Sequence, residues 1–282
     1  MRKSSIGIII LSIILVGMAI PAGFSTSDSQ VVITYGETTY NNANYKNIVD
    51  EFFAQQANVD MSKISSKIIT ANDVNKISSS ISGVTYNSGQ IFSSALVDLN
   101  DNDNLEVSVD KSKITRITGD MYISALKSSG ITAGHVYVTS PTTATGESAL
   151  AGIMNSYEEA TNVEIPETVK EAANKEIYTQ SEIVENSNVS AEEISELVDD
   201  VKETVKEENI TDHQTIVNVI NNYTIVNNIN ITNSDIENLA TAIEQVQNVQ
   251  GDVNNYSSEV SSIFNNTTDT NSAKGLFDGL FG

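Results

Sequence analysis

The chain has 282 residues, carries a formal charge of −22 at pH 7 and contains no cysteine. The negative charge argues against nucleic-acid binding, because phosphate contacts need clustered Lys and Arg side chains. The missing cysteines exclude disulfides, thiolate metal ligands, cysteine nucleophiles and a lipid-modified cysteine anchor. Trp is absent and aromatic residues make up 6% of the chain, so the core must be mainly aliphatic.

Residues 1–27 have the pattern of a signal peptide or signal anchor. Arg2 and Lys3 precede an apolar run at 6–20, which is followed by the small residues Ala22 and Gly23. The run is short for a membrane span, which needs about 20 residues. Cleavage after Ala22 is favoured and a retained anchor is the alternative. We therefore expect an extracytoplasmic protein, secreted or anchored to the outer face of the cytoplasmic membrane, and membrane contact only through this segment if it is uncleaved.

Strands and helices alternate in the first half of the chain. Apolar and β-branched patterns predict strands at 31–36, 67–71, 90–99, 105–110 and 135–140. The Asn/Asp-rich residues between the third and fourth of these predict a hairpin. Helices are predicted at 45–57, after a cap at Asn72, and after a cap at Thr118, with a left-handed stop at Gly130.

From Thr145 onward the sequence predicts only helices, without an internal repeat. Ser190 with Glu193 forms a capping box, and two further boxes are predicted by Thr211 with Gln214 and by Ser234 with Glu237. The β-branched residues at 215–232 also suit a strand, but the flanking boxes favour a helix.

One long helix is predicted at the end of this region, with an apolar seam of heptad-like steps. We expect the seam to pack on the preceding helices, with self-association as the second choice. Its members are Leu239, Ile243, Val246, Val253, Val260 and Phe264.

Together these elements predict an α+β fold. A mixed α/β part with a small sheet at 28–162 is followed by an all-helical part at 163–265 and a flexible tail at 266–282. The two parts are expected to pack together.

Ser148 lies in a sequence close to the G-x-S-x-G elbow of serine hydrolases. Gly146 precedes it correctly, but Leu150 replaces the second glycine and a loop separates the serine from its strand. Only His135 and His213 could act as bases. A helix capped by Thr145, with small residues for close packing, explains the segment better, and no catalytic residue is predicted.

Metal and cofactor motifs are also absent from the sequence. The segment 98–104 begins like an EF-hand loop, but Asp103 replaces the glycine and Val109 replaces the final glutamate. A turn is favoured there, and a weak calcium site is the alternative. His135, Tyr137 and Thr139 share one face of a predicted strand. An alternation of exposed polar and buried apolar residues explains this arrangement without a function.

Seven asparagines begin N-x-S/T sequons, all in the helical half. In an exported chain they predict glycosylation sites, and an Asn-rich composition is an equally good explanation. They are Asn188, Asn209, Asn222, Asn230, Asn255, Asn265 and Asn266.

The segment 109–161 resembles the YpuA-like family, an exported domain of unknown function. The matching residues are Ile117, Thr118, Met121, Tyr122, Ala125, Leu126, Gly130, Ile131, Val136, Val138, Pro141, Gly146, Ala149, Leu150, Gly152 and Ile153. The resemblance covers about 30 to 210. It implies an exported or envelope-associated protein without an established activity. The family usually has an alanine where this chain has Ser148.

The sequence therefore favours an exported or envelope-associated protein, non-catalytic, with a binding or structural role and an unknown envelope or extracellular partner. The alternative is an extracytoplasmic hydrolase using carboxylates. Two facing carboxylates in an open cleft would favour the hydrolase, because glycosidic chemistry uses such pairs.

Overall fold

The computed structural model describes residues 31–81, 85–100 and 104–267. The predicted signal segment at 1–27 and the tail from residue 268 lie outside the described residues. A five-stranded mixed sheet and a set of helices make up the described part, which confirms the α+β prediction.

The sheet has the order β2-β1-β3-β5-β4. Its outer pairs, β1 with β2 and β4 with β5, are parallel, and the two central pairs are antiparallel. The strands are β1 (Val31–Gly36), β2 (Ser65–Ile69), β3 (Ser94–Asp98), β4 (Leu105–Val109) and β5 (Gly134–Thr139).

The predicted hairpin between β3 and β4 is wrong, because β5 lies between these two strands. β5 pairs with β3 on one side and with β4 on the other, so that Val136 faces Val97 and Val107. Val136 and Val138 are fully buried. The inner position of β5 buries both residues, and turn-forming residues between β3 and β4 carry no information about a strand that arrives later.

The described part of the chain also contains ten α-helices, and the elements that follow Thr145 are helical, as the sequence predicts. They are α1 (Glu37–Tyr40), α2 (Ala43–Gln56), α3 (Ala71–Ile81), α4 (Gly119–Ser128), α5 (Glu147–Thr161), α6 (Glu167–Asn186), α7 (Ala191–Glu207), α8 (His213–Asn227), α9 (Asn233–Asn248) and α10 (Gln250–Thr267).

Helix starts agree with the predictions at two positions. The hydroxyl of Thr118 accepts from the backbone of Met121 at the start of α4, and Ser190 with Glu193 forms a complete capping box on α7. Gly130 has φ of 80°, which fits the predicted left-handed stop after α4.

Four other predicted caps are shifted. Thr70 and Asp73, not Asn72, bond reciprocally at the start of α3. Asp212 caps α8 in place of Thr211, and Gly146 takes the place of Thr145 before α5. For α9 the box is formed by Thr232 and Asp235 instead of Ser234 and Glu237. Each segment offers several capping residues in a row, and burial of the apolar face selects among them.

The predicted long C-terminal helix is two helices, since α9 ends at Asn248 and α10 begins at Gln250. Leu239 and Ile243 of α9 belong to a helical core formed with α7, α8 and the end of α6. Val253 and Val260 of α10 belong instead to a sheet core formed with the sheet, α4, α5 and α6. The seam residues up to Val260 are therefore buried within the chain, as expected, but they serve two different cores, and the side chain of Phe264 lies outside the described residues.

A short repeat that the sequence prediction missed joins α6 to α7, α7 to α8 and α8 to α9. The tripeptides Asn188-Val189-Ser190, Asn209-Ile210-Thr211 and Asn230-Ile231-Thr232 start at 188, 209 and 230. The central residue is buried or half-buried against the helical core in each case. Asn209 has φ of 52°, a left-handed stop, and Ser190 and Thr232 are caps. The buried or half-buried apolar residue is common to all three linkers, because consecutive helices pack on one core.

Candidate functional site

The described residues cover one face of the sheet only in part. Ile33, Tyr35 and Leu96 pack there beneath Val49 and Phe53 of α2, and Tyr137 of β5 packs at the edge of this cluster. The strand register puts the alternate residues of β4 and β5 on the same face, next to the covered part. Four of them, Glu106, Ser108, His135 and Tyr137, are half-buried or exposed and form a surface that we call the open face.

His135 is the centre of the open face. Its Nε2 lies 3.0 Å from the hydroxyl oxygen of Ser108, and its Nδ1 lies 3.1 Å from the hydroxyl oxygen of Tyr137. The His135 and Tyr137 rings stack with their centroids 4.2 Å apart and their planes 21° apart. Both ring nitrogens are thus engaged, and each hydroxyl can donate to or accept from the imidazole according to its tautomer.

Carboxylates flank the imidazole on both neighbouring strands. Asp98 of β3 and Glu106 of β4 are the register partners of His135. A Glu106 oxygen lies 3.9 Å from His135 Nδ1, and 69% of the Glu106 side chain is exposed. At the other end of the face, Thr139 donates to Asp110 at 2.8 Å. The open face therefore presents hydrogen-bond acceptors and negative charge around a flat ring pair.

The predicted division of β5 into a polar and an apolar face is confirmed, with one exception. Val136 and Val138 are buried in the sheet core, and His135 and Tyr137 lie on the other face. Thr139 shares that face but is buried, with 1% of its surface exposed. Its bond to Asp110 satisfies the hydroxyl.

A second polar cluster lies inside the protein, between α4, α6 and α7. Glu176 accepts from Ser124 at 2.8 Å, from Ser128 at 2.7 Å and from Lys202 at 2.9 Å. Asp199 joins from the surface side through Ser124 and Lys202. Because the Glu176 side chain is fully buried, no substrate could reach this pair of carboxylates without unfolding of the surrounding helices. We regard the cluster as structural.

Ser148 lies in the first turn of α5 and is half-buried. Neither histidine bonds to it, since His135 contacts Ser108 and Tyr137 while His213 contacts Glu237 and Glu244. The close packing predicted for its neighbours is present, because a β-carbon on Gly152 would lie 3.3 Å from Thr34. The arrangement fits a helix start.

The remaining predicted sites are only partly within the described residues. The asparagines of the first five sequons are exposed, and their glycosylation stays a prediction. They are Asn188, Asn209, Asn222, Asn230 and Asn255. The side chains of Asn265 and Asn266 lie outside the described residues, as do three residues of the 98–104 turn, 101–103.

In the part of the chain that the structure describes, no group of three or more His, Asp or Glu side chains is placed to hold a metal ion. No helix of that part is long and apolar enough to cross a membrane.

A family model described as a protein of unknown function (DUF1002) matches residues 35–263. The chain belongs to this family. The DUF1002 match includes the open face, the sheet core and the helical core.

Among curated proteins, the chain is similar to the uncharacterized protein YpuA of Bacillus subtilis (strain 168). The two are 29% identical over 143 residues, which is 50% of this chain and 49% of that protein. The chain thus spans about half the length of the curated relative that it matches. This similarity and the DUF1002 match confirm the YpuA-like family predicted from the sequence. No solved structure matches the chain.

The sequence prediction named His135 and Tyr137 but missed Ser108 and Glu106. Alternation along β4 is the signal that could have found them, because Glu106, Ser108 and Asp110 alternate with Val107 and Val109. Their proximity to His135 depends on the parallel pairing of β4 with β5, which the hairpin prediction excluded.

Proposed function

We propose that the chain is an exported or envelope-associated, non-catalytic protein that binds a partner through the open face. The basic and apolar pattern of residues 1–27 supports export. The open face itself supports binding, because His135, Tyr137 and two carboxylates converge where the described residues leave the sheet uncovered.

The chemistry of the open face favours a partner that carries positive charge and hydrogen-bond donors. Glu106 and Asp98 provide negative charge on either side of His135. The stacked His135 and Tyr137 rings provide a flat surface against which a guanidinium group can lie. The net charge of −22 adds long-range attraction for a cationic partner.

A titration with an Arg-rich peptide tests this proposal. Binding should weaken by about tenfold in the Tyr137→Ala variant, since a cation over an aromatic ring is worth about 0.5–2 kcal/mol, and Glu106→Gln should weaken it as well. Glu182→Gln is the matched control, because Glu182 is an exposed carboxylate on α6. Equal weakening by both Glu variants would show non-specific attraction and contradict the proposal.

The contact between Ser108 and His135 favours one alternative, a serine hydrolase. Its 3.0 Å separation is that of a nucleophile and its base. The predicted carboxylate hydrolase has less support, because Glu176, one of the two carboxylates of the interior cluster, is fully buried. A fluorophosphonate probe separates the two functions: labelling of Ser108 that is lost in His135→Ala would establish the hydrolase, and an unlabelled folded protein supports binding.

A further inference from the structure

Helix α2 borders one side of the open face. Its Val49 and Phe53 are buried on the sheet, and the helix contacts β5. On one side of these two residues, Lys46 and Asp50 bond to the hydroxyl of Tyr35 on β1. Because β5 and β4 lie beyond β3 when counted from β1, the other side of α2 is turned toward the open face.

That other side is formed by Tyr45, Ile48 and Phe52, which we call the α2 wall. They follow one another at steps of three and four residues, so their side chains lie on one side of the helix. The rings of Tyr45 and Phe92, a residue just before β3, have centroids 6.1 Å apart. Phe52 packs on the same apolar cluster as Tyr137 of the open face. The α2 wall and the open face therefore adjoin at Tyr137.

Ile48 is the exposed member of the α2 wall. Its exposed fraction is 43%, whereas Tyr45 and Phe52 are half-buried. The other exposed large hydrophobic residues of the described chain lie on α1, β2 and α8, away from β4, β5 and α2. They are Tyr40, Ile68, Ile225 and Val226. The open face thus has an exposed apolar side chain at one border, and its carboxylates surround His135.

We propose that the partner bound by the open face is a peptide segment in which an apolar residue lies beside an arginine. Ile48 receives the apolar side chain, while Tyr137 and Glu106 hold the guanidinium. This inference rests on the proposed function of the open face and specifies the chemistry of its partner. An apolar contact at Ile48 removes its surface from water, and it also shields the neighbouring charged contact from solvent.

Segments with only one of the two properties fit this surface less well. A uniformly basic segment would pair with Glu106 but leave Ile48 in water, so its binding would be mainly electrostatic and sensitive to salt. A uniformly apolar segment would cover Ile48 but leave the carboxylate of Glu106, 69% exposed in the free protein, without a partner. The combination of an arginine and an apolar residue matches both.

Two peptides of equal charge test the proposal, one alternating Arg with Leu and the other alternating Arg with Ser. The wild-type chain should bind the Leu peptide about fivefold more tightly, because part of each Leu side chain is buried. Added salt should weaken both peptides and leave their ratio unchanged. Ile48→Ser should bring the ratio close to one. Ile68→Ser is the matched control, because Ile68 is 39% exposed but lies on β2 at the far edge of the sheet.

Circular dichroism should first show that both Ile variants are folded. If neither peptide binds the wild-type chain, the proposed function of the open face is wrong and this inference is overturned with it. If both peptides bind with equal affinity and Tyr137→Ala weakens both, the open face is the site and this inference alone is overturned. A preference for the Leu peptide that survives in Ile48→Ser, or that the two Ile variants reduce equally, would also overturn it.

Discussion

The ammonium of Lys202 on α7 lies 2.9 Å from a carboxylate oxygen of Glu176 on α6, and the Glu176 side chain is fully buried. Ser124 and Ser128 of α4 complete the coordination of both charges. One buried ion pair thus connects three helices, two of which, α6 and α7, also contribute to the helical core. A buried charge needs its partner, because the desolvation of an unpaired carboxylate costs several kcal/mol.

Lys202→Met should therefore destabilise the protein by about 3–5 kcal/mol, since it leaves Glu176 buried without a counter-charge. The matched control is Lys67→Met. Lys67 pairs with Glu159 at 2.6 Å, but both side chains are about two-fifths exposed, and such pairs contribute about 0–1 kcal/mol. Urea denaturation of the three proteins measures the difference. Similar losses in both variants would mean that the Glu176 pair is reached by water.

Gly134 starts β5 with φ of 106°, a backbone conformation that L residues rarely adopt. A β-carbon there would lie 2.7 Å from Leu99 Cδ2 and 2.8 Å from the Tyr157 hydroxyl. Gly134→Ala should cost about 1–3 kcal/mol for the backbone, and the clash adds to it. Gly251→Ala is the opposite case, because Gly251 lies in α10 with open space around it. It should stabilise by about 0.4–1 kcal/mol, and thermal unfolding of both variants shows whether the signs differ.

His213 at the start of α8 bridges two carboxylates of α9. Its Nδ1 lies 2.9 Å from Glu244 and its Nε2 lies 3.0 Å from Glu237. These hydrogen bonds raise the pKa of His213 above its usual value, Glu237 being the larger cause, and Asp212 is the other carboxylate beside it. Only the imidazolium donates through both nitrogens.

Because the folded pKa is raised, the stabilisation by His213 is fully present below the unfolded pKa of about 6.5. It is lost as the pH rises through the folded pKa. His213→Gln should thus destabilise the protein in mildly acidic buffer and have little effect in alkaline buffer. An NMR titration should show that Glu237→Gln lowers the pKa of His213. A pKa unchanged by that substitution would show that the bridge is not formed in solution.

How far the sequence predicted this structure depends on whether a signal is local. The cap at Thr118 and the stop at Gly130 were correct because the bonds they make span three or four residues. The partners of His135 were not predictable in the same way, because Ser108 reaches it only through the pairing of β4 with β5. The caps of α3, α8 and α9 were shifted by one or two residues for another reason: each of these segments offers more than one residue that can cap a helix.

The last expectation concerns cooperativity between the two cores. Helix α6 contributes Val169, Ala173 and Ile177 to the sheet core and Ile183 to the helical core. Because α6 belongs to both cores, the unfolding of either core should destabilise the other. The described chain should therefore unfold in a single transition. Leu239, fully buried in the helical core, is the position to change.

Leu239→Ala should destabilise the protein by about 2–5 kcal/mol. The tyrosine signal reports the unfolding of the chain outside α7, α8 and α9, because nine of the ten tyrosines lie there and only Tyr223 lies within these helices. The near-ultraviolet circular dichroism of the tyrosines therefore follows the sheet core, and the far-ultraviolet signal follows all helices. Leu239→Ala should shift both transitions equally, as should Leu126→Ala in the sheet core. If Leu239→Ala moves the far-ultraviolet transition alone, α6 does not couple the cores, and α7 to α9 unfold as a separate unit.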